Sequence, residues 1–357
     1  MEPVNLHEFE ALAKEKLSAM AYDYYSSGAC DEITLHRNQS AYREISLKYR
    51  VLVDVSNRDM STTVLGQKIS FPVMIAPTAF QQMAHTEGES ATAGAASAED
   101  TIMILSTLSN THVEDVSKAA NGNLWFQLYV YKDRGVTKDL IQRVEKAGCK
   151  AIVVTVDAPF LGIRERDVRN GFTLPEGLTV KNMDDSWLAK VTAATGESGL
   201  TGYFASMLDS SLSWKDIEWL RSVTKLPIIL KGVACKEDAI LAVQHNIDAI
   251  VISNHGGRQL DTCRASIEVL PEIMECPLGK MEILVDGGVR RGTDVLKALA
   301  MGAKAVLLGR PVLWGLAYDG ENGVRKVLQI LKKEFDLAMA LCGCTSASNI
   351  PPDLIVK

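Results

Sequence analysis

Residues 248–261 read DAIVISNHGGRQLD, a β-branched apolar run that ends in an amide, an imidazole, two glycines and a guanidinium. A short continuous apolar run is typical of a strand buried on both faces, as in a parallel sheet. Seven other runs along the chain have the same character. They are PVMIAP (72–77), TIMILS (101–106), LWFQLYV (124–130), AIVVTVD (151–157), PIILKG (227–232), EILVDGG (282–288) and AVLLGR (305–310).

Helical stretches separate most of these runs, for example VTKDLIQRVEKAGC (136–149) and RGTDVLKALAMGA (291–303). Alternating strands and helices predict a parallel sheet covered on both faces. Eight strands without a reversal of order favour a closed (β/α)8 TIM barrel, although periodicity alone also allows an open doubly wound sheet. We predict an α/β fold in one domain, 1–357, with an N-terminal helical extension at 1–70 and the barrel at 72–345.

The gap after the fourth strand, from 158 to 226, is longer than a βα unit needs. It contains KNMDDSWLAKVTAATGESGLTGYF (181–204), which is polar and carries several Gly, Ser and Thr residues. We predict a mobile lid loop at about 178–212. A disordered insertion without function is the alternative.

Composition and charge exclude several classes of protein. A net charge of −6 over 357 residues argues against a general binder of nucleic acid or anionic membranes. The seven cysteines lack zinc-like spacing, which predicts reduced thiols and no metal site. No run approaches the roughly 18 apolar residues of a membrane span, and the N-terminal stretch lacks a secretory signal. We therefore expect a soluble intracellular protein.

The carboxyl ends of the strands meet at one mouth of a barrel, where active sites of this fold lie. Residues i and i+2 on a strand share a face, so polar pairs at these ends should project together. Because buried polar groups are costly without partners, we expect them to share one site. The strand-end residues are Pro77, Thr78, Ser106, Gln127, Tyr129, Thr155, Asp157, Lys231, Ser253, His255, Asp286, Gly309 and Arg310.

The last two strands carry a second signal. DGGVRRGTD (286–294) and LGRPV (308–312) place glycines and arginines in the loops that follow them. These loops, with a following helix N-terminus, form the usual phosphate site of such barrels. A tight turn is the alternative reading of the glycines, but Arg290 and Arg310 beside them favour a phosphate.

Together with SNHGGRQLD and DGGVRRGTD, the motifs FQLYVYKDR (126–134), TVDAPFLGIRERDVRN (155–170) and GRPVLWGLA (309–317) identify a family. The chain resembles the FMN-dependent 2-hydroxy acid oxidases, the family of glycolate oxidase and L-lactate oxidase, from its first helix to about residue 345. The resemblance implies FMN as cofactor and a homotetramer. It also implies oxidation of a short-chain L-2-hydroxy acid, glycolate or L-lactate, to the 2-oxo acid, with reduction of O₂ to H₂O₂.

The resemblance also implies catalytic roles. His255 would be the base, and Asp157 would raise its pKa and stabilise the imidazolium. Arg258 and Arg164 would clamp the substrate carboxylate, since a guanidinium matches it with two donors. Tyr24 and Tyr129 would hydrogen-bond the carboxylate and hydroxyl oxygens. A solvated Arg164, a packed Tyr24 and a merely packed histidine are the alternatives.

The remaining roles concern the cofactor. Lys231 would face the flavin N1–C2=O edge, with a Schiff-base lysine as the rival reading. Asp286 would bind the ribityl hydroxyls. The flavin ring and ribityl chain would contact Pro77, Thr78, Ala79, Ser106, Gln127, Thr155 and Ser253, and the phosphate would contact Gly287, Gly288, Arg290, Gly309 and Arg310.

Leu108 departs from the glycolate oxidase pattern, which has a tryptophan there, whereas Thr78 follows it. Leu108 leaves apolar room beside the substrate, and Phe204 in the lid would narrow it. We therefore expect L-lactate to be used at least as well as glycolate. The alternatives are a dehydrogenase with a non-oxygen acceptor and a lactate monooxygenase. Because the chain ends LIVK, we expect a cytoplasmic protein, or a peroxisomal one if the C-terminus is truncated.

Overall fold

A computed structural model describes residues 2–183 and 208–356 of the chain. The predicted lid at about 178–212 therefore lies mostly outside the described residues, and Phe204 lies wholly outside them. Both stay predictions.

Eight parallel strands close into a barrel, as predicted. Closure occurs between the last strand and the first, where Val306 pairs with Val73 and Leu308 with Ile75. The strands end up to two residues earlier than the apolar runs suggested, so Tyr129 and Asp157 lie just beyond their strands. The barrel strands are β1 (Val73–Ile75), β2 (Met103–Ser106), β3 (Leu124–Leu128), β4 (Ile152–Thr155), β5 (Ile228–Val233), β6 (Ala249–Ile252), β7 (Glu282–Asp286) and β8 (Ala305–Leu308).

The barrel interior has an apolar plug below a polar layer. One buried cluster fills the interior and includes Met74, Trp125, Val153 and Leu284. Polar residues stand two positions further along the same strands, on the same face. They form the upper layer and are Ser106, Gln127, Thr155, Lys231, Ser253 and Asp286. The plug closes the lower end of the barrel, so the polar layer can be reached only from the carboxyl ends of the strands.

A second buried cluster lies between the barrel and its helices, because the outward side chains of the strands are apolar too. It includes Val73, Leu105, Phe126 and Leu308. The helices are α1 (Leu6–Lys16), α2 (Ala19–Ser26), α3 (Ile33–Glu44), α4 (Gly88–Ala98), α5 (Val113–Ala120), α6 (Arg134–Lys146), α7 (Glu165–Arg169), α8 (Lys215–Val223), α9 (Lys236–Gln244), α10 (Ser266–Met274), α11 (Gly292–Ala300) and α12 (Arg310–Leu341), the last broken at Asp319 and Gly320. Short 3₁₀ helices span Gln81–Met83, Ala347–Asn349 and Pro352–Leu354.

The N-terminal extension carries the helices α1 to α3 and also contains short strands. After α3 the chain forms a two-residue strand, Ser46–Leu47, which pairs antiparallel with Ile355–Val356 near the other end of the chain. A hairpin of Thr62–Val64 and Gln67–Ile69 follows. Its Val64 and Ile69 belong to the buried cluster inside the barrel, so this segment helps to cover the lower end.

Among the described residues, none of the helices combines the length and the apolar character needed to cross a membrane. The cysteines of the chain are all free thiols.

Candidate active site

A large cavity opens at the carboxyl ends of the strands and holds about 1460 Å³ of empty space, including the part open to solvent. Of the predicted site residues, those that line it are Tyr24, Pro77, Thr78, Ala79, Ser106, Leu108, Gln127, Tyr129, Thr155, Arg164, Lys231, His255, Arg258, Asp286, Gly287, Gly288, Arg290, Gly309 and Arg310. Asp157 and Ser253 lie behind this surface, each against a lining residue.

His255 follows β6 in a left-handed turn, with φ of 58°. Its Nδ1 lies 2.9 Å from Oδ1 of Asp157, at the end of β4, so the predicted pair is formed. The pKa of His255 is lowered, because burial disfavours the imidazolium more than Asp157 favours it. Asp157 acts in the expected direction, but burial outweighs it.

Asp157 stays ionised beside this imidazole. Burial alone would raise its pKa, but His255 and Lys231 lower it below the usual value. The other carboxylate oxygen, Oδ2, is buried without a hydrogen-bond partner among the described residues. A neutral imidazole against a fixed carboxylate can accept a proton at its free nitrogen and is then stabilised as a cation.

Two guanidinium groups face the cavity near this pair. Nη1 of Arg258 donates to the carbonyl oxygens of Tyr24 at 2.6 Å and Ser27 at 2.9 Å. The pKa of Arg258 falls to about 10, through burial and then the nearby positive charge of Arg164. Nε of Arg164 is buried and has no hydrogen-bond partner in the described part of the chain. Two adjacent buried cations with an unused donor form a site for an anion such as a carboxylate.

Two phenols complete the wall. Tyr24, on α2, stacks on Phe172 with ring centroids 4.3 Å apart, and this contact holds the ring beside Arg258. The pKa of Tyr129 is raised by burial and by the charge of Asp157, so its hydroxyl stays protonated at neutral pH. Both phenols can therefore donate hydrogen bonds to an oxygen-rich ligand.

Neighbouring strands carry a chain of hydrogen-bonded side chains across the cavity floor. Nε2 of Gln127 donates to Oγ1 of Thr155 at 2.9 Å, and its Oε1 accepts from Oγ of Ser106 at 3.4 Å. In the loop after the adjacent strand β1, Oγ1 of Thr78 accepts from Nε2 of Gln81 at 3.0 Å. These side chains together offer hydrogen-bond donors and acceptors to one edge of a planar polar ring bound in the cavity.

Lys231 supplies a buried positive charge to the same floor. Its Nζ donates to Oγ of Ser253 and lies 3.1 Å from Oδ2 of Asp286, while Oδ1 of Asp286 stays without a partner in the described residues. Burial opposes the ammonium, but Asp286 and Asp157 raise its pKa above the usual value. A charged lysine is a poor nucleophile, which argues against the Schiff-base reading.

The anion site was predicted in the loops after β7 and β8, which line the cavity. Arg290 is buried, and its side chain donates to the carbonyl oxygen of Val289. A Cβ at Gly288 would overlap the carbonyl oxygen of Asn38, so only glycine lets the loop pack on α3. Helix α12 starts after Gly309 without a side-chain cap, which leaves its first N–H groups for an anion.

Arg310 differs from the prediction in where its side chain lies. Its guanidinium donates to the carbonyl oxygens of Tyr25, Ser27 and Gly256, each at 2.9 to 3.0 Å. Burial, with Arg258 nearby, lowers its pKa to about 9. Three of its five N–H groups are thus used to hold α2 and the His255 turn. Arg310 is also the first residue of α12, where the predicted anion site lies.

These features fit FMN. A cation beside a row of donors and acceptors suits the isoalloxazine edge, and Asp286 has an unused carboxylate oxygen for ribityl hydroxyls. A buried guanidinium at an uncapped helix N-terminus suits the terminal phosphate.

Several residues of the site were missed from the sequence. Leu161 and Leu208 line the cavity together with Leu108, and we call these three side chains the apolar wall. Glu89 is fully buried and accepts from the backbone of Gln81 and Asn110, which ties the loops after β1 and β2 together. GESATAGAASAED (88–100) gave only a helical signal, and an apolar residue in a loop carries no signal by itself.

Comparisons with known proteins identify the family of the chain. A family model described as FMN-dependent dehydrogenase matches residues 13–357. Glycolate oxidase from Spinacia oleracea is 54% identical over 350 residues, covering 98% of this chain and 95% of that protein. L-lactate oxidase from Nostoc sp. is 54% identical over 352 residues, covering 98% and 96%. A solved structure of mandelate oxidase with (S)-4-hydroxymandelic acid superposes with a TM-score of 0.92 at 39% identity, covering 99% of this chain and 98% of that one.

Proposed function

The chain belongs to the FMN-dependent dehydrogenase family, and from this premise we propose that it is a 2-hydroxy acid oxidase. It oxidises a short-chain L-2-hydroxy acid, glycolate or L-lactate, to the 2-oxo acid. The substrate loses two electrons and two protons, and O₂ takes up both pairs to give H₂O₂.

One observation carries the proposal. The His255–Asp157 pair, with its 2.9 Å contact, stands at the same cavity that Arg164 and Arg258 line, and Nε of Arg164 is buried there without a hydrogen-bond partner among the described residues. A 2-hydroxy acid has a carboxylate one bond from its carbinol carbon. The clamp therefore places the hydroxyl and α-hydrogen of such a substrate within reach of one base.

The residues divide the work as follows. Arg164 and Arg258 bind the carboxylate and fix the orientation of the carbinol carbon. Tyr129 donates a hydrogen bond to the substrate hydroxyl oxygen, and Tyr24 to the carboxylate. His255 accepts a proton from the hydroxyl or from the α-carbon, and Asp157 stabilises the imidazolium that results.

FMN, when bound, supplies the acceptor for the two electrons that leave the substrate. Lys231 and Asp286 with Ser106, Gln127, Thr155 and Ser253 would hold its ring and ribityl chain, and Gly288, Arg290 and the start of α12 its phosphate. Lys231 keeps a fixed positive charge on the cavity floor, which favours electron uptake by a ring bound over it.

The apolar wall of Leu108, Leu161 and Leu208 supports a substrate with a small alkyl group at C3. A methyl group in such a pocket contributes roughly 1–3 kcal/mol. We therefore propose that L-lactate is turned over with kcat/KM at least comparable to that for glycolate. A hundredfold preference for glycolate would contradict this.

The test follows the visible absorbance of the bound flavin without oxygen. L-lactate or glycolate should bleach wild-type enzyme, whereas His255→Ala should retain FMN yet be bleached about 10²- to 10⁴-fold more slowly. Unimpaired bleaching of His255→Ala would refute the role of His255. Stoichiometric H₂O₂ under air separates the oxidase from a dehydrogenase with another acceptor and from a monooxygenase.

Three features stay predictions: a single domain over residues 1–357, assembly as a homotetramer, and a cytoplasmic location.

A further inference from the structure

The His255–Asp157 pair and the two arginines of the carboxylate clamp come from only two loops. Loop four, residues 156–164, begins with Asp157 and ends with Arg164. Loop six, residues 253–261, carries His255 and Arg258. The His255–Asp157 pair and the carboxylate clamp of Arg164 and Arg258 each take one residue from loop four and one from loop six. Any relative movement of these loops would disturb both at once.

One side chain of loop six spans loop four. Nε2 of Gln259 donates to the carbonyl oxygen of Asp157 at 2.8 Å and to that of Phe160 at 2.9 Å. Its Oε1 accepts from the backbone N–H of Gly162 at 3.1 Å. A single carboxamide thus uses both of its donors and one acceptor on three backbone groups of loop four. No other natural side chain of this length offers that combination.

Backbone packing continues this contact. A Cβ on Gly162 would overlap the carbonyl oxygens of Arg258 and Gln259, so loop four lies directly on the backbone of loop six there. On the outer side, the N–H groups of Ala29 and Cys30 donate to the carbonyl oxygens of Gly257 and Ile163. Those two bonds tie each loop to the segment that follows α2, whereas Gln259 joins loop six to loop four directly.

We propose that Gln259 is a positioning residue that fixes the geometry of the His255–Asp157 pair and of the carboxylate clamp at the same time. This inference rests on the proposed function. Gln259 does not contact substrate. It fixes the distance from Asp157 to His255 by holding the carbonyl of Asp157, and it fixes the distance from Arg164 to Arg258 by holding Gly162.

The experiment replaces Gln259 by methionine, which has similar length but cannot form these hydrogen bonds. The control is Gln244→Met, because Gln244 is exposed at the end of α9, away from the cavity. Two quantities are measured: kcat with L-lactate, and the affinity of the oxidised holoenzyme for oxalate. Oxalate is a dicarboxylate without a carbinol hydrogen, and its binding is read from the perturbation of the flavin spectrum.

In Gln259→Met we expect kcat to fall about ten- to a hundredfold, as for an angstrom-scale misplacement of reacting groups. Oxalate affinity should fall about tenfold, while FMN affinity and Tm stay close to wild type. Gln244→Met should change none of these. Wild-type kcat and oxalate affinity in Gln259→Met would overturn the inference, and so would a parallel loss of FMN affinity and Tm, which indicates a general structural role.

The oxalate measurement separates this inference from the proposed function. If wild-type enzyme binds oxalate but neither hydroxy acid bleaches it, the proposed function fails. A loss of oxalate affinity in Gln259→Met would in that case still support the positioning of the clamp. If wild-type enzyme is bleached and Gln259→Met behaves identically, only the role of Gln259 fails.

Discussion

Gly232 interrupts β5 and makes room for the catalytic carboxylate. The pairing of β5 with β6 shifts register between Lys231 and Val233, which places a bulge at Gly232 with φ of +112°. A Cβ added there would lie 2.5 Å from both Cβ and Cγ of Asp157. Gly232→Ala therefore strains the backbone and pushes the carboxylate away.

The size of the effect follows from these distances. Ordinary contact begins at 3.4 Å, so Asp157 must move by about 0.9 Å to relieve a 2.5 Å approach. A movement of that size along the bond stretches the 2.9 Å contact with His255 to about 3.8 Å, beyond hydrogen-bond range. Hydrogen bonds to charged groups contribute about 1.5–3 kcal/mol, and about 1.4 kcal/mol is tenfold in rate. We expect kcat/KM for L-lactate to fall roughly 10- to 150-fold.

A matched control separates the effect of backbone strain from the effect of displacing Asp157. Gly122 also has positive φ, +90°, but a Cβ there would meet nothing within 4 Å. Gly122→Ala and Gly232→Ala should each lose roughly 1–3 kcal/mol of stability from the backbone, whereas only the second should lose activity. The assays are steady-state kinetics and denaturant unfolding of the holoenzyme. A folded Gly232→Ala enzyme with kcat/KM within threefold of wild type would refute the reasoning.

Two further predictions concern pH and specificity. Burial lowers the pKa of His255 below its usual 6.5, and the neutral imidazole is the active base, so the acid limb of the kcat/KM profile should have its midpoint below pH 6.5. Asp157→Asn removes the contribution that raises this pKa, so its acid limb should lie at lower pH with a reduced plateau. A wild-type midpoint above 6.5 in the pH profile of kcat/KM would contradict this assignment. Leu108→Trp should lower kcat/KM for L-lactate relative to glycolate by roughly 5- to 150-fold, the equivalent of 1–3 kcal/mol for one methyl group. An unchanged ratio in competition kinetics would show that Leu108 does not set the pocket size.

The barrel could be predicted from sequence because each strand is apolar on both faces and ends in a polar or glycine residue. The layer formed by Ser106, Gln127, Thr155 and Asp286 follows from strand periodicity alone. Strand periodicity does not show which of these polar groups take part in catalysis. Their roles came from resemblance to a family, and they stay predictions until variants are measured.

Other features of the site leave no local pattern in the sequence. The bonds from Arg258 to Tyr24 and from Arg310 to Tyr25 join residues 234 and 285 positions apart. The glycine of PIILKG looked like a strand end, whereas it is a bulge inside β5. Asp157 raises the pKa of His255 as predicted, but the net shift does not follow from this pairing alone, because the extent of burial is a property of the folded chain.

The carbonyl groups at the end of α2 have a consequence for how activity arises. They accept from Arg258 and Arg310, which are supplied by the other half of the chain. A nascent polypeptide that has made only its first strands cannot assemble the clamp, and a barrel cut free of residues 2–44 would leave both cations without these acceptors. Turnover therefore requires that α2 has packed against Arg258 and against Arg310 at the start of α12, so an active enzyme has already formed these contacts between distant parts of the sequence.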